Sequence, residues 1–114
     1  MPIMQKRKLG KSGIEVSEIG LGCWQLGGDF GPLGNDRAQE ILRAAHASGI
    51  DFWDTADVYG DGRSERLIAQ VKRERPNETI YVATKAGRRL DPHTADGYTY
   101  DNLLAFIDRS RKNL

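Results

Sequence analysis

Apolar residues gather in three short runs, at positions 19–24, 50–55 and 80–84. Each is followed by a loop and then by a longer stretch with helical periodicity. The runs start at intervals of roughly thirty residues, the size of one βαβ unit. They read as three strands alternating with three helices, which predicts a parallel sheet. Ahead of them, residues 4–9 and 14–19 flank Gly10-Lys11-Ser12-Gly13, turn chemistry that predicts a β-hairpin. A glycine-rich loop with Pro32 spans 27–34 and leads to a helix predicted over 36–48, capped by Asn35 or Asp36. Ile41, Leu42, Ala44, Ala45 and Ala47 supply its apolar face, and Gly49 supplies its stop. Ser64 is the expected cap of the second helix, in which Glu65, Leu67, Ile68 and Val71 lead toward Pro76. A third helix is predicted to start at Thr99-Tyr100-Asp101, with Leu103, Leu104, Phe106, Ile107 and Ser110 facing inward.

The predicted fold class is therefore α/β, a hairpin followed by three β/α units, in one domain over residues 1–114. Consecutive parallel strands present their C-terminal ends along a single edge, where ligand chemistry sits in barrels and open sheets alike. Those ends are Cys23 with Trp24, then Asp54, then Lys85.

Composition narrows the function classes. A charged fraction of 29% beside a hydrophobic fraction of 39% fits a globular protein rather than a disordered one. The net charge is +1 with the signs interspersed, so nothing points to nucleic acid or an acidic membrane surface as partner. The stretch Lys6-Arg7-Lys8 reads as a solvated hairpin face. One cysteine, Cys23, rules out an internal disulfide and points to a reducing compartment. Residues 1–10 lack the apolar run of a signal peptide, and no window is long and apolar enough to span a bilayer, so a cytoplasmic location is expected. No histidines and cysteines fall at metal-ligand spacing, so no metal site is expected. Gly20 and Gly22 do not open a dinucleotide fingerprint, because Gln25 occupies the third glycine position.

Three residue types at the strand-end edge suggest chemistry. Asp54 closes an apolar strand, where a carboxylate needs a partner. Lys85 closes the next strand, and Tyr59 lies in the loop after Asp54. An ammonium group beside a phenol favours the phenolate. That prepares the phenol to protonate a carbonyl oxygen as hydride reaches the carbon. The plainer readings are a capping acid for Asp54, a snorkelling chain for Lys85 and loop packing for Tyr59.

Leu9-Gly10-x-Ser12-Gly13-x-x-Val16-Ser17-x-Ile19-Gly20-Leu21-Gly22-x-Trp24 resembles the opening of many aldo-keto reductases. So do Gly49-Ile50-x-Phe52-x-Asp54-Thr55-Ala56-x-x-Tyr59-Gly60, the pair Ser64-Glu65, and Val82-Ala83-Thr84-Lys85. The resemblance runs in order over almost the whole chain. It implies the N-terminal part of a (β/α)8 TIM barrel whose hairpin closes the bottom. It also implies an enzyme that reduces small-molecule aldehydes or ketones with NADPH. Tyr59 would match the catalytic acid, Asp54 and Lys85 its supports, and Cys23, Trp24 and Asp54 the nicotinamide end of the cofactor. Many members carry threonine where this chain has Cys23, and a redox role for the thiol is the alternative to a backbone contact there. The family's further catalytic histidine belongs to a fourth strand, and most of its cofactor groups lie later still. His93 is on the expected edge without matching that histidine, and His46 reads as structural. A barrel of this type takes about 250 residues, so an incomplete barrel with an unpaired sheet edge is expected, prone to self-association. A non-catalytic cofactor-binding or regulatory module is the alternative reading.

Overall fold

The structure is a computed structural model and describes residues 3–114. Strands β1 (Lys6–Lys8) and β2 (Glu15–Ser17) form an antiparallel hairpin. Its turn needs positive φ at Gly10 (56°) and Gly13 (79°), and Ser12 Oγ donates to Leu9 O at 2.6 Å. The paired segments are shorter than the extended runs around them. Lys6, Arg7 and Lys8 all face solvent, as expected of a hydrated strand.

Strands β3 (Leu21–Gly22), β4 (Phe52–Asp54) and β5 (Tyr81–Ala83) form the parallel sheet, in chain order. Leu21, Trp53 and Val82 are register partners. They share the face on which helices α1 (Asn35–Ala47) and α2 (Arg63–Glu74) pack. Trp53 is wholly buried there with Leu26, Leu42, Ile68 and Val71. Side chains alternate along a strand, so Phe52, Asp54 and Tyr81 fall on the opposite, more open face.

The helices begin and face differently from the sequence expectation. Gly34 occupies the first cap and Gly62, at φ 92°, the second, neither with a side-chain capping bond. Asn35 and Asp36 are already helical, and Ser64 lies buried in the first turn of α2. The buried stripe of α1 is Ala38, Gln39, Leu42 and Ala45, leaving Ala44 and Ala47 exposed. Its stop is as predicted: Gly49 (φ 86°) donates to His46 O and Ile50 to Ala45 O, the double bond of a Schellman motif. Helix α3 (Tyr100–Asn113) is capped by Thr99, whose hydroxyl accepts from Asn102 N at 3.2 Å. Phe106 and Ser110 turn inward, whereas Leu104 and Ile107 remain exposed.

Asp51 joins the hairpin to the sheet at the end opposite the strand C-termini. Its carboxylate accepts from Ser17 N at 2.7 Å and pairs with Lys6, while its own N–H donates to Ser17 Oγ at 3.1 Å. Burial opposes the charge, but the bonds from Lys6 and Ser17 prevail and hold its pKa below the usual carboxylate range.

No helix among the described residues is long and apolar enough to cross a membrane.

Candidate active site

The sheet register brings Asp54 and Lys85 together. Asp54 is paired with Gly22 on one side and Ala83 on the other. Lys85 stands two residues beyond Ala83, so strand alternation turns both side chains to one face. Lys85 Nζ donates to both carboxylate oxygens of Asp54 at 3.0 Å and to Thr55 O at 2.8 Å. Partial burial disfavours the charge on Lys85. The hydrogen bond and charge of Asp54 outweigh that, with a smaller contribution from Tyr59, and raise the lysine's pKa above its ordinary value. The pair is about half exposed (50% for Asp54, 47% for Lys85), so it is not the desolvated pair expected from the apolar strand.

Tyr59 folds back over the strand ends, with its ring centroid 5.4 Å from Lys85 Nζ. That is cation–π distance, and the ammonium meets the ring face while its hydrogen bonds go to Asp54 and Thr55. Trp24 stacks on the phenol ring at 6.1 Å and 24°, and Phe30 tilts against Trp24 at 4.7 Å. Trp24 does not end a strand: it opens a 3₁₀ turn, Trp24–Gly27, that carries the indole toward Tyr59. Asp29 Oδ2 accepts from Trp24 Nε1 at 2.7 Å and fixes the indole plane.

Cys23 lies behind this constellation rather than in it. The residue has no exposed surface, its N–H donates to Asp54 O at 2.9 Å, and its carbonyl accepts from Ser64 Oγ at 3.2 Å. Burial, helped by the Asp54 charge and opposed by Lys85, pushes its thiol up to about 12. A buried, protonated thiol is a poor nucleophile, so the redox role considered for it has no support. The two histidines are engaged elsewhere. His46 Nε2 lies 2.7 Å from Glu78 Oε2, ahead of β5 at the far end of the sheet. His93 Nε2 is 2.6 Å from the hydroxyl of its loop neighbour Tyr98.

Ser64, expected as a helix cap, and Glu65, expected only as part of the second helix, hold this edge together. Ser64 Oγ lies 2.8 Å from Thr55 Oγ1, and the Ser64 N–H donates to Tyr59 O at 3.2 Å, so one residue ties the ends of β3 and β4 to the loop that carries Tyr59. Glu65 is wholly buried, accepting from Thr84 Oγ1 at 2.8 Å and Asn113 Nδ2 at 3.1 Å. It anchors the residue before Lys85 to both α2 and α3.

An acid, an ammonium group, a phenol and an aromatic wall gather at the C-terminal edge of parallel β/α units, the edge where TIM barrels carry their ligand chemistry. The sequence profile of the aldo/keto reductase family matches residues 18–114, and the chain belongs to that family. It is 39% identical over 109 residues to the uncharacterized oxidoreductase YqkF of Bacillus subtilis, covering 96% of this chain and 33% of that protein. It is 40% identical over 86 residues to pyridoxal 4-dehydrogenase of Microbacterium luteolum, covering 75% and 25% respectively. Among solved structures, the holo form of aldo-keto reductase AKR11C1 from Bacillus halodurans superposes with a TM-score of 0.70 at 34% identity, over 96% of this chain and 35% of that one. The chain thus spans about a third of the length of these relatives, and the fold is a partial TIM barrel.

Proposed function

We propose that this chain is the N-terminal, proton-donating part of an enzyme that reduces aldehydes or ketones to alcohols with NADPH. The observation that carries the reading is the Asp54–Lys85–Tyr59 cluster at the strand-end edge. In the reaction, Tyr59 Oη gives its proton to the carbonyl oxygen as the carbonyl carbon accepts hydride. The Lys85 ammonium offsets the negative charge that develops at Oη. Asp54 keeps that ammonium charged and in place. Removing the proton donor from such a step costs about two to four orders of magnitude in rate.

The residues present fit one end of a nicotinamide cofactor. Trp24 offers a half-exposed planar face, and Asp54 offers a half-exposed carboxylate. Between them Gly22 keeps the ground open, since nothing lies within 4 Å of where its Cβ would stand. Trp24 and Asp54 would hold the nicotinamide end, with Cys23 bracing both from behind. Bound there, the cofactor supplies the hydride. The preference for NADPH rests on the family resemblance and is read by comparing kcat/KM for NADPH and NADH.

Tyr59→Phe in the complete enzyme tests the reading. Carbonyl reduction should fall at least about a hundredfold, while cofactor affinity, measured by fluorescence titration, stays within about threefold of the parent, because the phenol hydroxyl serves the proton transfer and not ground-state binding. Turnover that survives the substitution would reject it. A parent that binds cofactor but shows no turnover would favour a non-catalytic cofactor-binding module instead.

A further inference from the structure

The backbone carrying Tyr59 rests directly on Gly27. A Cβ on Gly27 would stand 2.5 Å from Gly60 N, 2.6 Å from the Tyr59 carbonyl carbon and 3.1 Å from Tyr59 Cα. The approach is mutual, for a Cβ on Gly60 would meet Gly27 Cα and Gly27 O, both at 2.8 Å. The contact is backbone on backbone, so no side chain can swing aside to make room, and close-packed interiors transmit such a push. Gly60 needs glycine for its φ of 64° as well, but Gly27 does not lie in the left-handed region. Its lack of a side chain serves the contact alone.

The Gly27 side of this contact is fastened in turn. Arg63 Nη1 donates to Leu26 O at 2.9 Å, and Nη2 donates to Asn35 Oδ1 at 2.9 Å and to Leu33 O. One guanidinium therefore ties both ends of the loop between Trp24 and α1 to the first residue of α2. The same loop carries Trp24, whose ring backs the phenol.

We propose that Gly27 is a positioning residue for Tyr59. The Gly27–Gly60 contact, held shut by Arg63, sets how far the phenol reaches toward Lys85. The consequence for turnover rests on the reading of Tyr59 as proton donor; the geometric claim does not. A methyl group on Gly27 must drive the Tyr59–Gly60 peptide away from its seat. A displacement of order 1 Å at a reacting group costs about a hundredfold in rate.

Two readouts test this. The first is the nuclear Overhauser cross-peak between the Tyr59 ring and the Lys85 side chain in the chain described here. It should be present in the parent and in Gly34→Ala, a control that adds a methyl to the same loop where nothing lies within 4 Å. It should be lost in Gly27→Ala while the Trp53 indole resonance stays in place. A glycine that served stability alone would lower the melting temperature and leave the cross-peak of the folded chain unchanged, and that result overturns the proposal. Should Gly27→Ala not fold, Arg63→Ala carries the test without adding bulk. It should weaken the same cross-peak, and an unchanged one contradicts the lock. The second readout is kinetic, in the complete enzyme: Gly27→Ala should lower kcat about a hundredfold, with KM nearly unchanged. If the cross-peak is lost and kcat holds, the lock stands and the proton-donor reading of Tyr59 falls.

Discussion

Asp54 and Lys85 are 31 residues apart, yet their pairing follows from two local facts, strand alternation and the Asp54–Ala83 register. That is why the pair was legible in the sequence. Asp51 was not, because nothing in an Asp that precedes an apolar strand announces the hairpin it will hold. Its folded-state pKa is depressed, so the stability it contributes is present above the unfolded value of about 3.9. That contribution is lost as pH falls through the lower, folded value. Urea midpoints measured between neutral pH and pH 3 should therefore drop steeply at the acid end for the parent and less so for Asp51→Asn. Cys23 gives a second check at this scale. With its thiol pushed up to about 12 and no exposed surface, it should resist alkylation at pH 8 in the folded chain and react once urea unfolds it. Alkylation that proceeds equally fast with and without urea would contradict the burial.

At the scale of elements, the sequence pattern located the strands and the three α-helices of the described residues, and the errors cluster at caps and faces. Ser64 looked like a helix cap because serine favours that position. Gly62, which reaches the left-handed conformation without strain, takes the cap two residues earlier and frees Ser64 for the buried bonds to Thr55 and Cys23. The face of α1 came out rotated because its alanines are too small to mark a side, and packing on α2 and the sheet chose among them. The 3₁₀ turn at Trp24–Gly27 carried no signal at all, since Gly27 read as the start of a loop. The device with most consequence is Glu65, which joins α2 to the end of β5 and to α3. Glu65→Ala removes two part-buried hydrogen bonds, which should cost about 2 kcal/mol of unfolding free energy. Chemical denaturation followed by far-ultraviolet circular dichroism measures it. A loss below about 1 kcal/mol would mean that the network is not what fastens β5.

For the whole molecule, surface is the controlling quantity. A compact protein of this mass exposes about 6,200 Å² and has a radius of gyration near 13 Å for its length. This chain exposes 7455 Å² and has a radius of 15.1 Å. Strands β3 and β5 both lie at sheet edges, and Leu104, Ile107 and Leu114 are exposed on the β5 side. Open edges beside apolar surface invite pairing with another chain. The sedimentation mass of the isolated chain should therefore rise with concentration, and Ile107→Lys should reduce that rise. A sharp cooperative melt from a monomer would contradict it. We propose that Asp54 and Tyr59 from one β/α unit and Lys85 from the next act as one proton-donating device, and a double-mutant cycle on carbonyl reduction by the complete enzyme decides it. Tyr59→Phe and Lys85→Met should each lower kcat strongly, and the double variant should lose little more than the worse single, because groups acting as a unit are not additive. Losses that multiply would show that Tyr59 and Lys85 work independently, and the device as described would not exist.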